Sequence, residues 1–282
     1  MDYLYKASDV RELDAMVARE LGVDFFHLME RAGRAAFEIL IQRWPGARKI
    51  TILCGKGLNG GDGLIVAGLA HAFGIEVQAV LVSRSEALDS DTVLAKKWAE
   101  SQGVEVKEGF DGTLTGQVIV DAILGSGFKG ELRPEYAQAA KAVNRNSAPV
   151  LAIDIPTGVS ADCLTSDQNA IEAEITVTFI GRKVGLYTGR GYAAAGQVIY
   201  QSLGAPSNIF KQMDTGIPLL DFLKLPPLEP LAIDSHKHSR GHAVIVGGDN
   251  SMGGAILMAG ESALRVGAGL VTIIGRKAHG PA

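Results

Sequence analysis

Three segments hold residues that could do chemistry, and each follows an apolar run. "CGKGLNGGDG" (54–63) carries Asn59 and Asp62 after "KITIL"; "VIVDAILGSGFKGE" carries Asp121 ahead of a glycine-rich loop with Lys129; "VLAIDIPTG" carries Asp154 and Thr157 around Pro156. A carboxylate inside a buried strand is costly unless it is paired or coordinated. Asn59, Asp121 and Thr157 all offer oxygen, the donor chemistry of a hard cation. Asp154 adds an acid/base candidate and Lys129 a fixed positive charge. For either strand acid alone, a cap or a turn-stabilising hydrogen bond is the plainer role.

The pattern Gly55-x-Gly57-x-x-Gly60 also fits a dinucleotide fingerprint. That fingerprint needs an acid about 20 residues on, at the end of the next strand, for the ribose hydroxyls. Here the next run ends at Ser83-Arg84, while an acid, Asp62, stands at the expected helix start, where it would compete with pyrophosphate for the backbone amides. A Walker A loop fails as well, because Gly61-Asp62 occupies the Lys-Ser/Thr positions. The loop therefore suits a phosphate-bearing ligand approached differently, or a ribose or cation contact through Asn59 and Asp62. Its plain structural role is a tight turn with Asp62 as N-cap.

The elements that must position these loops alternate. Two helices are expected over 8–22, with Ser8 as N-cap, and over 25–44, stopped by Pro45-Gly46. Strands "KITILC", "EVQAVLVS" and "QVIVDAIL" are then each followed by a helix, at about 62–73, 89–102 and 134–146, before "VLAIDIP", "EITVTFIG" and "QVIYQSLG". Such alternation predicts βαβ units in a mostly parallel sheet covered on both faces, so the three loops share one edge. The length of 282 residues, 47% of them hydrophobic, suffices for one large α/β domain or a domain and a half.

Charge excludes some partners. With 27 Lys and Arg against 31 Asp and Glu, there is no basic excess to attract nucleic acid or an anionic membrane. The first residues lack a signal's basic and apolar regions, and no apolar run approaches the roughly 18 residues that span a bilayer, so a cytoplasmic location is expected. Cys54 and Cys163 lack CxxC spacing and read as buried or incidental thiols.

Periodicity dissolves after "QVIYQSLG", and prolines mark residues 205–230 as a linker between a domain at 1–204 and a new unit at 231–282. That unit reads as one βαβ element: strand "HAVIVGG", helix "SMGGAILMAGESALRV" and strand "GLVTIIG". A single βαβ cannot bury its own sheet face, which suggests the opening of a second α/β domain. His236, His238 and His242 in "HKHSRGH" read as a solvated domain entry rather than a metal site.

Four segments in order, "GKGLNGGDGLIVA", "VDAILGSGFKGELRPEY", "IDIPTGVSAD" and "TVTFIGRKVGLYTGRG", resemble the NAD(P)H-hydrate epimerase family, the YjeF N-terminal domain, over about residues 8–204. The tail resembles the start of the ribokinase-like, ADP/ATP-dependent NAD(P)H-hydrate dehydratase domain often fused to bacterial epimerases; its later segments are missing, so no dehydratase activity is expected. The resemblance implies a three-layer αβα Rossmann-like sandwich, usually a homodimer, that interconverts the R and S forms of hydrated NADH and NADPH with a potassium ion. By position it implies Asn59, Asp121 and Thr157 as potassium ligands. Leu58, Asn59, Gly60, Gly61 and Asp62 would contact the hydrate, as would Gly125, Ser126, Gly127, Phe128, Lys129, Gly130 and Glu131 of the second loop, and Asp154. Leu58 stands where many relatives have a second asparagine, and His238 where glycine is common.

No hydride moves in such a reaction; C6 of the hydrate loses and regains its configuration through departure of its hydroxyl or ring opening. One carboxylate that gives and takes a proton is enough, and Asp154, with Lys129 as electrostatic helper, is the expectation. The competing reading is a non-catalytic nucleotide-binding or dimerising scaffold of the same fold. An oxidoreductase is disfavoured by Asp62 and the missing ribose acid.

Overall fold

The computed structural model describes residues 2–84, 87–162, 166–227, 230, 232–250 and 252–276. Cys163, and residues 228 and 229 of the expected linker, lie outside them. The chain divides into two compact units, residues 1–220 and 221–282.

The first unit opens with β1 (Asp2–Tyr5), α1 (Ala7–Leu21) and α2 (Phe25–Arg43). The βα alternation follows: β2 (Lys49–Cys54), α3 (Leu58–Ala72), β3 (Glu76–Leu81), α4 (Ser90–Ser101), β4 (Val106–Glu108), β5 (Val118–Ala122), α5 (Pro134–Arg145), β6 (Val150–Ile153) and β7 (Ile175–Phe179). It closes with β8 (Arg182–Lys183), a 3-10 turn, α6 (Gly189–Ala194), β9 (Gln197–Gln201), α7 (Ser207–Phe210) and β10 (Ile217–Leu219). The second unit contains β11 (His242–Val246), α8 (Gly253–Arg265) and β12 (Leu270–Ile274).

Seven strands form one parallel sheet in the order β4-β3-β2-β5-β6-β7-β9. β2 and β5 are buried almost throughout, as continuous apolar runs require when helices cover both faces. Ile50, Ile52, Val118 and Val120 pack on the side of α1 to α4, while Leu53 and Ile119 pack with Tyr136, Ala139, Ala140 and Val143 of α5 on the other. The result is a three-layer αβα fold. Chain order runs outward from β2 through β3 to β4, and outward the other way from β5 through β6 and β7 to β9. The switch between β2 and β5 opens a crevice at the strands' carboxyl ends, where open α/β sheets bind ligands.

Three local expectations change. Ser8 does not cap α1: the helix starts at Ala7, and the Lys6 backbone N–H donates to Asp9. α3 starts at Leu58, four residues before Asp62, because Gly60 and Gly61 already donate to the Gly57 carbonyl. The expected linker is also partly folded on the first unit, since Ile209 of α7 is buried in the main core and β10 pairs antiparallel with β1. β1 pairs on its other side with β8.

In the second unit β11 and β12 pair in parallel, and α8 buries only Ile256 and Gly260. Val246, Met258 and Val266 are exposed, as the failure of one βαβ to cover itself dictates.

Candidate functional site

The glycines of the first loop are there for packing. A Cβ on Gly55 would lie 1.8 Å from the Ile123 carbonyl oxygen, and one on Gly60 1.9 Å from the Gly55 oxygen. One on Gly63 would lie 2.4 Å from the Ala122 Cβ. The turn after β2 is thus interlocked with the turn after β5, and α3 presses on both. Gly60 serves this contact, Gly61 instead makes room for Met29 of α2, and neither lines the crevice.

The crevice is a cavity of about 650 Å³ in the first unit, within the range of small-molecule sites. α3 contributes Leu58, Asn59 and Asp62 to its wall; the loop after β5 contributes Gly125, Ser126, Gly127, Phe128, Lys129 and Glu131, with Gly130 turned away. Asp154 lies on a third side, and Asp14 and Phe25 come from the N-terminal helices. Among the described residues three non-glycines have positive φ, Asp154 at 67°, Ile180 at 56° and Leu203 at 53°, and all three line this cavity. Backbone held in that region costs energy and persists only where the surroundings impose it, commonly at sites.

Asp121 and Thr157 lie fully buried beneath the cavity floor, behind Ile123 and Leu124 of its lining. The Thr157 hydroxyl and backbone N–H donate to the two Asp121 carboxylate oxygens, both at 2.7 Å, and the Ile123 N–H adds a third bond at 3.2 Å. The Thr157 hydroxyl oxygen in turn accepts from the Leu124 N–H at 3.0 Å. Burial nevertheless raises the Asp121 pKa to about 6, opposed by those Thr157 and Ile123 bonds. Asn59 is buried yet neither its amide oxygen nor its nitrogen has a partner, and it packs against Gly125. An orphaned buried amide beside an all-oxygen pair fits a hard cation, which Asn59, Asp121 and Thr157 could hold.

The walls carry the charge that sequence reasoning missed. Lys183, at 1% exposure, donates to Asp154, to the Thr178 hydroxyl at 3.0 Å and to the Phe179 carbonyl at 3.0 Å. The Ser126 N–H also donates to Asp154, at 3.3 Å. Lys129 also lines the cavity, but its side chain is 73% exposed, with its nitrogen 4.0 Å from Asp162. Asp14 and Asp62 neither accept a hydrogen bond nor form an ion pair among the described residues. Burial raises the Asp14 pKa to about 7, Lys183 opposing and Asp154 adding. Burial likewise holds Asp62 well above the usual carboxylate range, with Asp154 and Asp14 adding and Lys183 opposing.

A signal for Asp14 lay in the helix period. Val10, Val17 and Ala18 of α1 are buried, and Asp14 sits four residues after the first and before the last, an acid in the core-facing stripe. Lys183 could be suspected only from its place just after the apolar run "TVTFI". In the second unit, His242 pairs with Thr272 at 2.8 Å, and His236 accepts from the Ser239 N–H at 3.2 Å.

The chain is 42% identical to the bifunctional NAD(P)H-hydrate repair enzyme Nnr of Coxiella burnetii, over 100% of this chain and 58% of that protein. It is 38% identical to the Escherichia coli enzyme of the same name, over 97% of this chain and 53% of that one. The chain thus spans about half the length of these relatives. An NAD(P)H-hydrate epimerase of Legionella pneumophila is 31% identical, over 74% of this chain and 81% of that protein. The crystal structure of yeast ynu0 shares the fold, with TM-score 0.64 at 21% identity, covering 77% of this chain and 99% of that one. The model of the YjeF-related protein N-terminus matches residues 26–185, and the chain belongs to that family.

Proposed function

We propose that the first unit is an NAD(P)H-hydrate epimerase, interconverting the R and S forms of hydrated NADH and NADPH at C6 of the nicotinamide ring. The observation that carries this reading is the cavity at the β2/β5 switch, whose wall holds Asp14, Asp62 and the Asn59 amide, none of them with a protein partner among the described residues. A binding scaffold has no use for such groups, which are costly to bury. The names of the Coxiella, Escherichia and Legionella relatives support the same substrate class.

The residues divide the work. Asn59, Asp121 and Thr157 would hold potassium, which when bound supplies a fixed positive charge for an oxygen of the hydrate. Lys183 donates to one Asp154 oxygen and the Ser126 N–H to the other, which aims the carboxyl so that Asp154 can accept from the substrate. Phe25 and Leu58, both about half-exposed, offer apolar surface at the cavity wall. The hydroxyl at C6 must gain a proton to leave as water, or lose one for the ring to open, so a group exchanging one proton at that oxygen completes the site. We take the working form as a homodimer. Among the described residues no helix is long and apolar enough to cross a membrane.

Separated isomers of NADHX incubated with the protein in potassium buffer, then resolved by chromatography, test this function. Isomer ratios that relax no faster than in buffer alone would refute it. Replacing potassium with tetramethylammonium tests the ion: the rate falls if Asn59, Asp121 and Thr157 hold it, and an equal rate removes the ion from the proposal.

A further inference from the structure

We propose that Asp14 on α1 is the catalytic acid–base group of this site, giving a proton to and taking one from the oxygen at C6, while Lys183-bound Asp154 only orients the substrate. The assignment rests on the epimerase reading above and names the group that reading leaves open.

Geometry separates the three carboxyls of the wall. Asp154 is engaged by the Lys183 ammonium and the Ser126 N–H, so a proton placed on it would break its ion pair. Asp14 and Asp62 accept no hydrogen bond among the described residues and face the same cavity as the unpartnered Asn59 amide. All three carboxyls, each half-buried, share the cavity with one ammonium, and a charge on Asp154 disfavours ionising Asp14 and Asp62. Asp62 is held well above the usual carboxylate range by burial, with Asp154 and Asp14 adding, and it sits one helical turn from Asn59 on α3, on the side of the proposed ion rather than on α1. Asp14, raised to about 7, exchanges its proton where the protein works. The charged and titratable groups around it are Arg11 on its own helix, Tyr5 of β1, Lys183 of β8, Asp62 of α3 and Asp154; α7 brings none.

The step balances without any oxidant. The Asp14 carboxyl gives its proton to the C6 hydroxyl; the C6–O bond breaks, its electron pair leaves with water, and the ring-nitrogen lone pair forms a C6=N bond. Water then adds to the opposite face through its own lone pair, the C=N pair returns to nitrogen, and the extra proton returns to the acid cluster around Asp14.

The test is the pH–rate profile of NADHX epimerisation, corrected for uncatalysed interconversion, for wild type, Asp14→Asn and Asp14→Glu. Asp14→Asn is expected to lower kcat on the order of 10²-fold or more while KM changes less than about threefold. A break near pH 7 in the wild type should vanish in Asp14→Asn, and Asp14→Glu should recover part of the rate. An Asp14→Asn enzyme that keeps its kcat, or the break, overturns the assignment. Should that variant fail to fold, Asp14→Glu decides: a displaced break supports the assignment and an unmoved one overturns it. Wild-type protein no faster than buffer would overturn the epimerase reading and this assignment together, whereas an active wild type with indifferent variants overturns the assignment alone.

Discussion

Asp121, fully buried beneath the floor of the cavity, and Asp14, half-buried in its wall, are treated by the protein in opposite ways. Asp121 in the floor accepts three hydrogen bonds, two of them from Thr157, and burial raises its pKa only to about 6. Asp14 in the wall accepts none and reaches about 7. A carboxylate surrounded by donors is a fixed anion, whereas one facing open space without donors is poised to exchange a proton. Stability is invested in the floor and reactivity in the wall. Asp154 stands between the two, held by one buried lysine and the Ser126 N–H.

The largest expected effect comes from breaking that intermediate case. Lys183→Met strands Asp154 without its ammonium, and chemical denaturation should register a loss of about 3–5 kcal/mol, together with loss of epimerisation. A destabilisation below about 1 kcal/mol would mean that the pair is solvated and the wall ordinary.

Asp14 comes next. Its folded pKa lies above its unfolded one, so between pH 4 and 7 the folded chain binds more protons; its contribution to stability is fully present below the unfolded value and is lost as pH rises through about 7. Asp14→Asn should therefore be the more stable protein at pH 8, by up to roughly 4 kcal/mol at about 1.4 kcal/mol per pH unit, and the two denaturation curves should converge towards pH 4. A wild type that loses no more stability than the variant over that range would place Asp14 among ordinary solvated acids.

Thr157→Val probes the floor. It removes one hydroxyl bond to Asp121 and the acceptor of the Leu124 N–H, an expected cost of about 2 kcal/mol, and potassium stimulation should fall with it. Full stability and unchanged potassium response in Thr157→Val would dissolve the distinction between floor and wall. The smallest effect belongs to Lys129→Ala: with its side chain 73% exposed, stability should move by less than about 0.5 kcal/mol and the turnover rate hardly at all. A large drop in turnover would return Lys129 to the role its loop position suggested.

What could be read from the sequence followed periodicity and turn chemistry. The strands "KITILC", "VIVDA" and "VLAI" were legible because both faces are buried and the runs are unbroken. Asn59, Asp121, Asp154 and Thr157 were legible because they sit at the ends of such runs. The start of α3 was not: "LNGGDG" carries helix-breaking glycines, and only the approach of Gly60 to Gly55 and Gly63 to Ala122 explains why a helix forms there. β1, β8 and β10 are four, two and three residues long, too short to show a period, and exist through their pairing with one another. Lys183 was hidden because lysines are almost always solvated, so that the exposed Lys129 looked the better partner for Asp154. Asp14 carries no motif around it, and only its spacing from the buried Val10 and Ala18 marks it as core-facing.

The interlocked backbones of Gly55, Gly60 and Ile123 leave no freedom for the two crossing turns to slide. The separation between the amide of Asn59 and the Asp121 carboxylate is therefore set by main-chain contact, much as a keystone sets the span of an arch. Adaptation to a bulkier or smaller guest must come from the flanks, at Phe25, Leu58 and the stretch from Ser126 to Glu131, where side chains can be exchanged without prying the sheet apart.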